Sequence, residues 1–250
     1  SVFRVTWVDS LQKSLSAMKN ADPQATSEWW TMARASDAMV AYELIPSTGS
    51  MMPYGDIDVK FFAFTDVDKS HLGKEKMAGY CVALSRIMAP VVRDFVLSAP
   101  LWAAVDPRVV FLAAPGDGVV SLHFVIRNVK HFRSQEDVRR LVALPLAECL
   151  VAATAGWRAA IGDELQSMGA TTVDHTKLRE AMRPDMKVYQ QKSGAFQKWR
   201  MPFATKAGEN RPFLFVSGDD RLMGAGDFEE NADVHQWLHV TTVGVFEAER

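Results

Sequence analysis

Two aspartates spaced two residues apart are the feature of this 250-residue sequence best suited to chemistry. Asp56 and Asp58 lie in residues 54–62, where polar and apolar side chains alternate as in a β-strand. The alternation places both carboxylates on one face, where their charges repel unless a cation lies between them. Oxygen ligands of this kind suit Mg²⁺ or Mn²⁺. The alternative is that both acids are solvated side chains at the end of a strand.

The composition limits the kind of protein that can carry this pair. With 48% hydrophobic and 23% charged residues, the chain is typical of a globular protein with one large domain or two tightly joined lobes. A net charge of -2 gives no global basic field for a nucleic acid, so any polyanion site must be local. Cys81 and Cys149 form no CxxC pair, which argues against a zinc tetrad and favours a reducing, intracellular compartment. The longest apolar run, residues 141–156, contains Pro145 and Glu148 and is too interrupted to span a membrane.

Hydrophobic periodicity and turn residues predict a mixed α/β (α+β) fold. Strands are predicted at residues 2–8, 38–44, 54–62, 109–112, 119–127, 185–189, 196–201, 212–216 and 237–246. Helices are predicted at residues 11–20, 27–35, 71–97 and 136–168, and a loop at 218–233. We expect strands 38–44 and 54–62 to pair as a hairpin. We expect Pro90 and Pro145 to bend or split their helices.

Groups that could contact phosphate occur later in the chain. Ser121 and His123 share one face of strand 119–127, although such a pair is more often simply a surface pair. Asp185 starts a strand-like segment, where an acid usually belongs to a turn. Residues 177–211 contain nine Lys and Arg residues against three acids, a run that by itself favours a solvated face.

A second Asp-x-Asp pair has a different interpretation. Asp66 and Asp68 stand just before the predicted start of a helix. Acids are common there because they complement the helix dipole and cap its first turn. Capping is therefore favoured over catalysis for this pair.

Taken in order, these motifs resemble the catalytic core of the archaeo-eukaryotic primase superfamily, in particular primase-polymerases and the primases of large DNA viruses. That family carries an acid-x-acid strand, then a Ser-x-His strand, then an Asp strand. The matching stretches are residues 42–46 with 54–58, residues 120–126, and residues 185–189 in the Asp-x-x-Val-Tyr form. Arg200 and Lys206 resemble the Arg and Lys that close the third motif in primase-polymerases. The resemblance spans residues 38–216.

The resemblance implies a DNA primase or primase-polymerase, a template-directed nucleotidyltransferase. It would join NTPs or dNTPs on a single-stranded DNA template with two Mg²⁺ or Mn²⁺ ions, and a helicase or other replication proteins are candidate partners. Residues 1–250 would form a single catalytic domain. Its N-terminal part, to about residue 110, would carry the first motif, and residues 111–250 the other two. The implied architecture is an N-terminal α/β lobe and an RRM-like lobe with a cleft between them.

The implied site contains two kinds of side chain. The catalytic, metal-binding carboxylates would be Asp56, Asp58 and Asp185. The nucleotide-binding residues would be Ser121, His123, Arg200 and Lys206. No protein nucleophile is needed, because phosphoryl transfer depends mainly on positioning and charge neutralisation.

Two departures from the family pattern have different consequences. Val119 stands where primase-polymerases often have a lysine, so a phosphate contact must come from elsewhere. These 250 residues contain no cysteine-rich zinc module, which bears on priming more than on polymerisation. Two alternatives therefore stay open. One is a repair or translesion polymerase that extends primers without starting them. The other is a non-catalytic nucleic-acid-binding subunit of a larger complex.

Overall fold

The computed structural model describes residues 2–5, 41–45, 47–98, 106–189, 197–206, 209–217 and 221–224. Within these ranges the chain is an α+β fold with antiparallel sheets. The strands are β1 (Val2–Val5), β2 (Ala41–Ile45), β3 (Thr48–Met51), β4 (Tyr54–Lys60), β5 (Arg108–Ala113), β6 (Val119–Arg127), β7 (Phe132–Ser134), β8 (Gln197–Arg200), β9 (Leu214–Val216) and β10 (Leu222–Met223). The helices predicted at residues 11–20 and 27–35 and the strand at 237–246 lie outside the described residues.

The helices follow the strands in the order of the chain. They are α1 (Lys74–Ser98), α2 (Gln135–Val138), α3 (Leu144–Ala153), α4 (Ala155–Ser167) and α5 (His175–Glu180). Shorter turns are the 3₁₀ helices Phe61–Ala63, Lys69–Leu72 and Met186–Tyr189 and the π-helical segment Arg139–Ala143. Within the described ranges, no helix has the length and apolar character needed to cross a membrane.

A five-stranded antiparallel sheet in the order β10-β9-β5-β6-β4 forms the centre of the fold. The hairpin predicted between residues 109–112 and 119–127 is confirmed as β5 and β6. Its turn needs Gly118, which has φ +64, and a Cβ there would lie 2.2 Å from the Phe62 ring. The suggested division near residue 110 falls inside β5, and this sheet takes strands from both sides of it.

One face of the sheet is the main hydrophobic core. Ile57 and Val59 of β4 and Val120 and Leu122 of β6 are fully buried there. Helix α1 packs against β5 and β6 through apolar side chains that recur at three- and four-residue steps. The buried residues of this stripe are Met77, Cys81, Leu84, Met88, Val92 and Val96. The core therefore uses every second residue of β4 and β6 and leaves the intervening residues for the other face.

The two prolines act differently in their helices. Pro90 lies inside α1, which continues as one 25-residue helix, so the helix is not split. Pro145 is the second residue of α3 and follows the π-helical segment Arg139–Ala143, in which the regular i→i−4 hydrogen bonding is already interrupted. The expected break near Pro145 is wrong: the π-helical segment runs directly into α3, and the helix is interrupted only at Thr154, between α3 and α4.

Asp66 and Asp68 each accept hydrogen bonds that hold segments of the backbone in place. Asp68 caps the 3₁₀ helix Lys69–Leu72, and its Oδ1 accepts hydrogen bonds from the Ser70 amide at 2.8 Å and hydroxyl at 2.6 Å. Asp66 accepts hydrogen bonds from the amides of Thr171 and Thr172 at 2.9 and 3.0 Å. The capping interpretation is confirmed for Asp68.

Three sequence predictions about strands are wrong. β2 does not form a hairpin with β4; it pairs with β1 and β8, and β3 pairs with β7. Residues 54–62 do not form one strand, because β4 ends at Lys60 and a 3₁₀ helix follows. The loop predicted at 218–233 contains β10, which pairs with β9.

The segment predicted as a strand at residues 185–189 is also different. Met186–Tyr189 forms a 3₁₀ helix, and the Asp185 carboxylate accepts a hydrogen bond from the Lys187 amide at 2.9 Å. A local Asp-to-backbone bond of this kind favours a turn over an extended strand.

Candidate functional site

Two pairs of predicted site residues face each other across β4 and β6. Asp56 lies opposite His123, and Asp58 lies opposite Ser121. The neighbouring register positions exchange backbone hydrogen bonds, as the bond from the Ile126 amide to the Pro53 carbonyl shows. The Asp56–His123 pair is therefore of the non-hydrogen-bonded type, in which side chains approach most closely. The His123 Nε2 atom lies 3.7 Å from Asp56 Oδ1.

The third predicted carboxylate reaches this face from the edge of the sheet. β4 is the edge strand, and its Asp56 carbonyl accepts a 2.7 Å hydrogen bond from the Asp185 amide. The Tyr189 hydroxyl donates to the Tyr54 carbonyl, and the Tyr54 hydroxyl donates to the Val188 carbonyl at 3.2 Å. The two tyrosine rings pack 5.1 Å apart. These reciprocal bonds fix residues 185–189 along the outer edge of the strand that carries Asp56.

The His123 ring is enclosed between two aromatic rings. Trp199 stacks on it at 3.8 Å between ring centroids with 18° between the planes, and Phe213 lies at 3.9 Å and 32°. Two rings at such distances must occupy opposite faces of the imidazole. His123 is consequently only 6% exposed, and its orientation is set by packing.

Arg200 joins the same group of residues, whereas Lys206 does not. The Arg200 guanidinium lies 4.4 Å from the centre of the Phe213 ring, and its charge lowers the pKa of both Asp56 and His123. Lys206 extends into solvent and pairs with Glu209 at 3.5 Å. The described contacts thus gather six of the seven predicted site residues and leave Lys206 on a neighbouring loop.

Burial and like charge raise the pKa of Asp56 well above its usual range. Burial is the larger cause, the charges of Asp58 and Asp185 add to it, and Arg200 and Lys60 oppose it. Burial, then the charge of Arg200, lowers the pKa of His123 well below its usual range. Both shifts favour the neutral forms, so the 3.7 Å contact between Asp56 and His123 is not a strong ion pair.

Asp56, His123 and Trp199 each have a buried polar atom with no hydrogen-bond partner among the described residues. The atoms are Asp56 Oδ1, His123 Nδ1 and Trp199 Nε1. A buried polar atom without a partner typically costs about 1–3 kcal/mol. Such atoms are uncommon in proteins, and an ordered water, an ion or a ligand can complete their hydrogen bonds.

Carboxylate oxygens are suitable ligands for a divalent cation, but the three aspartates are not arranged as a coordination site in this structure. In the described part of the chain, no three Asp, Glu, His or Cys side chains lie close enough to hold a metal ion as they stand. The negative charges of Asp58 and Asp185 nonetheless contribute to the raised pKa of Asp56. A cation placed among the three carboxylates would replace that repulsion with attraction. The predicted metal role of the three aspartates requires their oxygens to draw closer when the ion binds.

Part of the basic charge predicted for residues 177–211 is neutralised locally. Lys177 pairs with Asp174 at 3.5 Å, and Arg183 pairs with Glu148 at 2.6 Å. Arg211 is held by the Glu209 carboxylate. The positive potential at the acids therefore depends mainly on Arg200 and Lys60.

The aromatic support of the site was missed at the sequence level. Trp199 directly precedes Arg200, and Tyr189 ends the Asp-x-x-Val-Tyr motif, so both had a local signal. Nothing in the sequence links Phe213 to His123. Glu43, buried on β2 opposite Trp199, is a further acid near these aromatic residues. Burial, then the charge of Glu43, raises the pKa of Tyr54.

A surface cavity of about 370 Å³ lies elsewhere, against α1 and β10. It is lined by Ala78, Gly79, Val82, Ala83, Arg86, Arg221 and Leu222. None of the seven predicted site residues lines it, so the candidate site is defined by its chemistry and not by this cavity.

No family model matches the chain, and no curated protein matches it.

Proposed function

We propose that this chain is the catalytic core of a DNA primase or primase-polymerase, a template-directed nucleotidyltransferase. One observation carries the proposal: Asp56 and Asp58 lie directly opposite His123 and Ser121 on one sheet face, and Asp185 is hydrogen-bonded to the backbone of Asp56. The resemblance to archaeo-eukaryotic primases assigns roles to these same residues.

In this proposal Asp56, Asp58 and Asp185 hold two divalent cations, Mg²⁺ or Mn²⁺. When bound, the cations supply activation of a primer 3′-hydroxyl and neutralisation of the leaving pyrophosphate. The chain supplies the placement: the β4 backbone fixes the first two carboxylates, and the edge hydrogen bond fixes the third. Its residues need only orient the reactants and exclude competing ligands, because phosphoryl transfer requires no covalent step on the protein.

The phosphate-binding role falls to the other residues of this face. His123 Nδ1 is buried and has no partner among the described residues, so its contact with a ligand oxygen requires that the atom carry the proton and become exposed when the ligand binds. Arg200 offers a planar fork of N–H donors that suits phosphate oxygens. Ser121 can donate its hydroxyl from the neighbouring register position. Lys206 would have to leave Glu209 to take part.

The proposal extends to architecture and partners. The five-stranded sheet that carries the first two motifs would be the RRM-like lobe, and the β1-β2-β8 sheet would belong to the N-terminal lobe. Single-stranded DNA and NTPs or dNTPs would be the ligands, in a reducing intracellular compartment, with a helicase or other replication proteins as partners.

Incorporation of labelled nucleotide tests the proposal. The wild-type chain is incubated with single-stranded DNA and Mg²⁺ or Mn²⁺, with and without a primer, using NTPs and dNTPs in separate reactions. We expect metal-dependent products that Asp58→Asn abolishes. The matched control Asp163→Asn, which changes an exposed acid of α4, should leave them unchanged.

The arms of this experiment separate the alternatives. Products that require a primer would identify an extending repair or translesion polymerase. DNA binding without incorporation under any condition would contradict the proposal and identify a non-catalytic subunit.

A further inference from the structure

Phe213 lies at the end of a loop that is fixed at several points. The Phe203 amide donates to the Phe213 carbonyl at 2.7 Å, and the Phe213 amide donates to the Ala204 carbonyl at 3.1 Å. Arg211 donates to the Ala114 carbonyl at 3.2 Å and packs over Gly116, where an added Cβ would lie 2.3 Å from the Arg211 side chain. The loop therefore holds the Phe213 backbone against the β5–β6 turn.

The Phe213 ring contacts two proposed phosphate-binding residues that come from different strands. Its centroid lies 3.9 Å from that of His123 on β6 and 4.4 Å from the guanidinium carbon of Arg200 on β8. The ring is fully buried, so it has little room to move. This shared ring is a direct physical link between His123 and Arg200.

We propose that Phe213 is a positioning residue that fixes His123 and Arg200 relative to each other, so that both contact the phosphates of one nucleotide. The inference rests on the proposed function for its ligand. Nucleotide binding by two side chains depends on their spacing, and a misplacement of about 1 Å can cost up to about 100-fold in rate. A flat ring suits this task because it stacks on an imidazole and binds a guanidinium through its face.

The test replaces the ring while keeping an apolar side chain. Phe213→Leu should raise the nucleotide KM by about tenfold while the DNA Kd changes by less than about twofold. The matched control is Phe111→Leu, which removes a buried ring that packs on Phe124 at 6.0 Å. Phe111 alternates with Leu112 on β5, so its ring lies on the opposite face of the sheet from His123. This control should leave both constants unchanged.

A double-mutant comparison shows whether Phe213 acts through His123. His123→Ala should raise the nucleotide KM less in the Phe213→Leu background than in the wild type, because the imidazole has already lost its position. Equal effects in both backgrounds would overturn the positioning role. If Phe213→Leu fails to fold, Phe213→Met, which conserves more of the volume without the ring, replaces it.

A spectroscopic readout separates this inference from the proposed function. The ring protons of His123, assigned by their loss in His123→Gln, should resonate far upfield in NMR spectra because two aromatic rings sandwich them. Phe213→Leu should move them toward ordinary histidine positions, whereas Phe111→Leu should not. If the wild type incorporates no nucleotide, the proposed function fails while this shift still reports the positioning. Unchanged His123 signals in Phe213→Leu would overturn the inference.

Discussion

The two faces of β4 and β6 are built from alternate residues of the same strands, yet they have opposite properties. On one face Ile57, Val59 and Leu122 are fully buried against the helices. On the other, Asp56 and His123 keep polar atoms without partners among the described residues. Burial of the apolar side chains on the first face stabilises the fold. The polar atoms without partners on the second face lower the stability, but a ligand can complete their hydrogen bonds. The period of two along a strand thus keeps the chemistry apart from the core.

The register that separates the faces is fixed at both ends of the pair. The Ile126 amide bonds to the Pro53 carbonyl at one end, and the Phe61 amide bonds to the Gly118 carbonyl at the other, both at 2.9 Å. A slip of one residue would bring the acids into the core and the apolar residues to the site. Substitutions on the two faces should therefore fail in different ways.

The largest expected effect comes from the site face. Asp56→Asn should lower primer extension by about 1,000-fold or more, because it removes a proposed metal ligand at the centre of the site. The melting temperature measured in EDTA should not fall, since the change removes a buried acid that is repelled by Asp58 and Asp185. Activity within tenfold of wild type would exclude the proposed role of Asp56.

The largest stability effect should come from the core face. Leu122→Ala should lower the free energy of unfolding by about 2–5 kcal/mol, because it opens a cavity among fully buried side chains. Its neighbour Ser121 points to the other face, so Ser121→Ala should cost much less and instead raise the nucleotide KM. Urea denaturation of both variants makes the comparison. Equal losses of stability would show that the faces are not separated as described.

A third pair of substitutions compares His123 with a buried residue on the opposite face of the same strand. His123→Ala should raise the nucleotide KM by about tenfold and change DNA binding much less, as expected for a phosphate contact. Ile126 is buried on the core face of β6, so Ile126→Ala is a control that also leaves a cavity but should not change the nucleotide KM. Steady-state kinetics and a gel-shift titration measure the two effects. Weaker DNA binding with an unchanged KM in His123→Ala would reverse the assignment.

The smallest effect contrasts two acids with opposite environments. Hydrogen bonds from the Thr171 hydroxyl and from backbone amides lower the pKa of Asp66 to about 2, whereas burial raises that of Asp56. Because the folded-state pKa of Asp66 lies below its unfolded value of about 3.9, its contribution is present above pH 4 and is lost as the pH falls toward 2.

Melting curves of Asp66→Asn against pH check this sign. The variant should melt slightly below wild type near pH 7, and the difference should shrink as the pH falls below about 4. Asp94→Asn, which changes an exposed acid of α1, is the control. A difference that grows on acidification would contradict the argument.

The strands β4, β5 and β6 could be predicted because their alternation is strong and local. The same alternation placed Asp56 with Asp58 and Ser121 with His123, each pair on one face. It could not show that the two pairs face each other, because the register depends on the turn at Gly118 and on packing against α1. The periodicity therefore predicted the parts of the site, whereas their assembly into one site was expected only from the family resemblance.

The sequence failed where distant segments decide the structure. Residues 38–44 were expected to pair with 54–62 because they are close in sequence, but β1 and β8 take both edges of β2. Asp185 was placed in a strand, although its own carboxylate holds a turn and its amide docks on β4. The aromatic sandwich of His123 joins three separate segments and has no local signature at Phe213.

Manganese binding measured by EPR, with nucleotide present, tests most directly whether three distant aspartates form one cation site. Wild type and the control Asp163→Asn should bind Mn²⁺ with the same affinity, and Asp185→Asn should bind it at least about tenfold more weakly. Wild-type affinity in Asp185→Asn, or no binding by the wild type, would contradict the account.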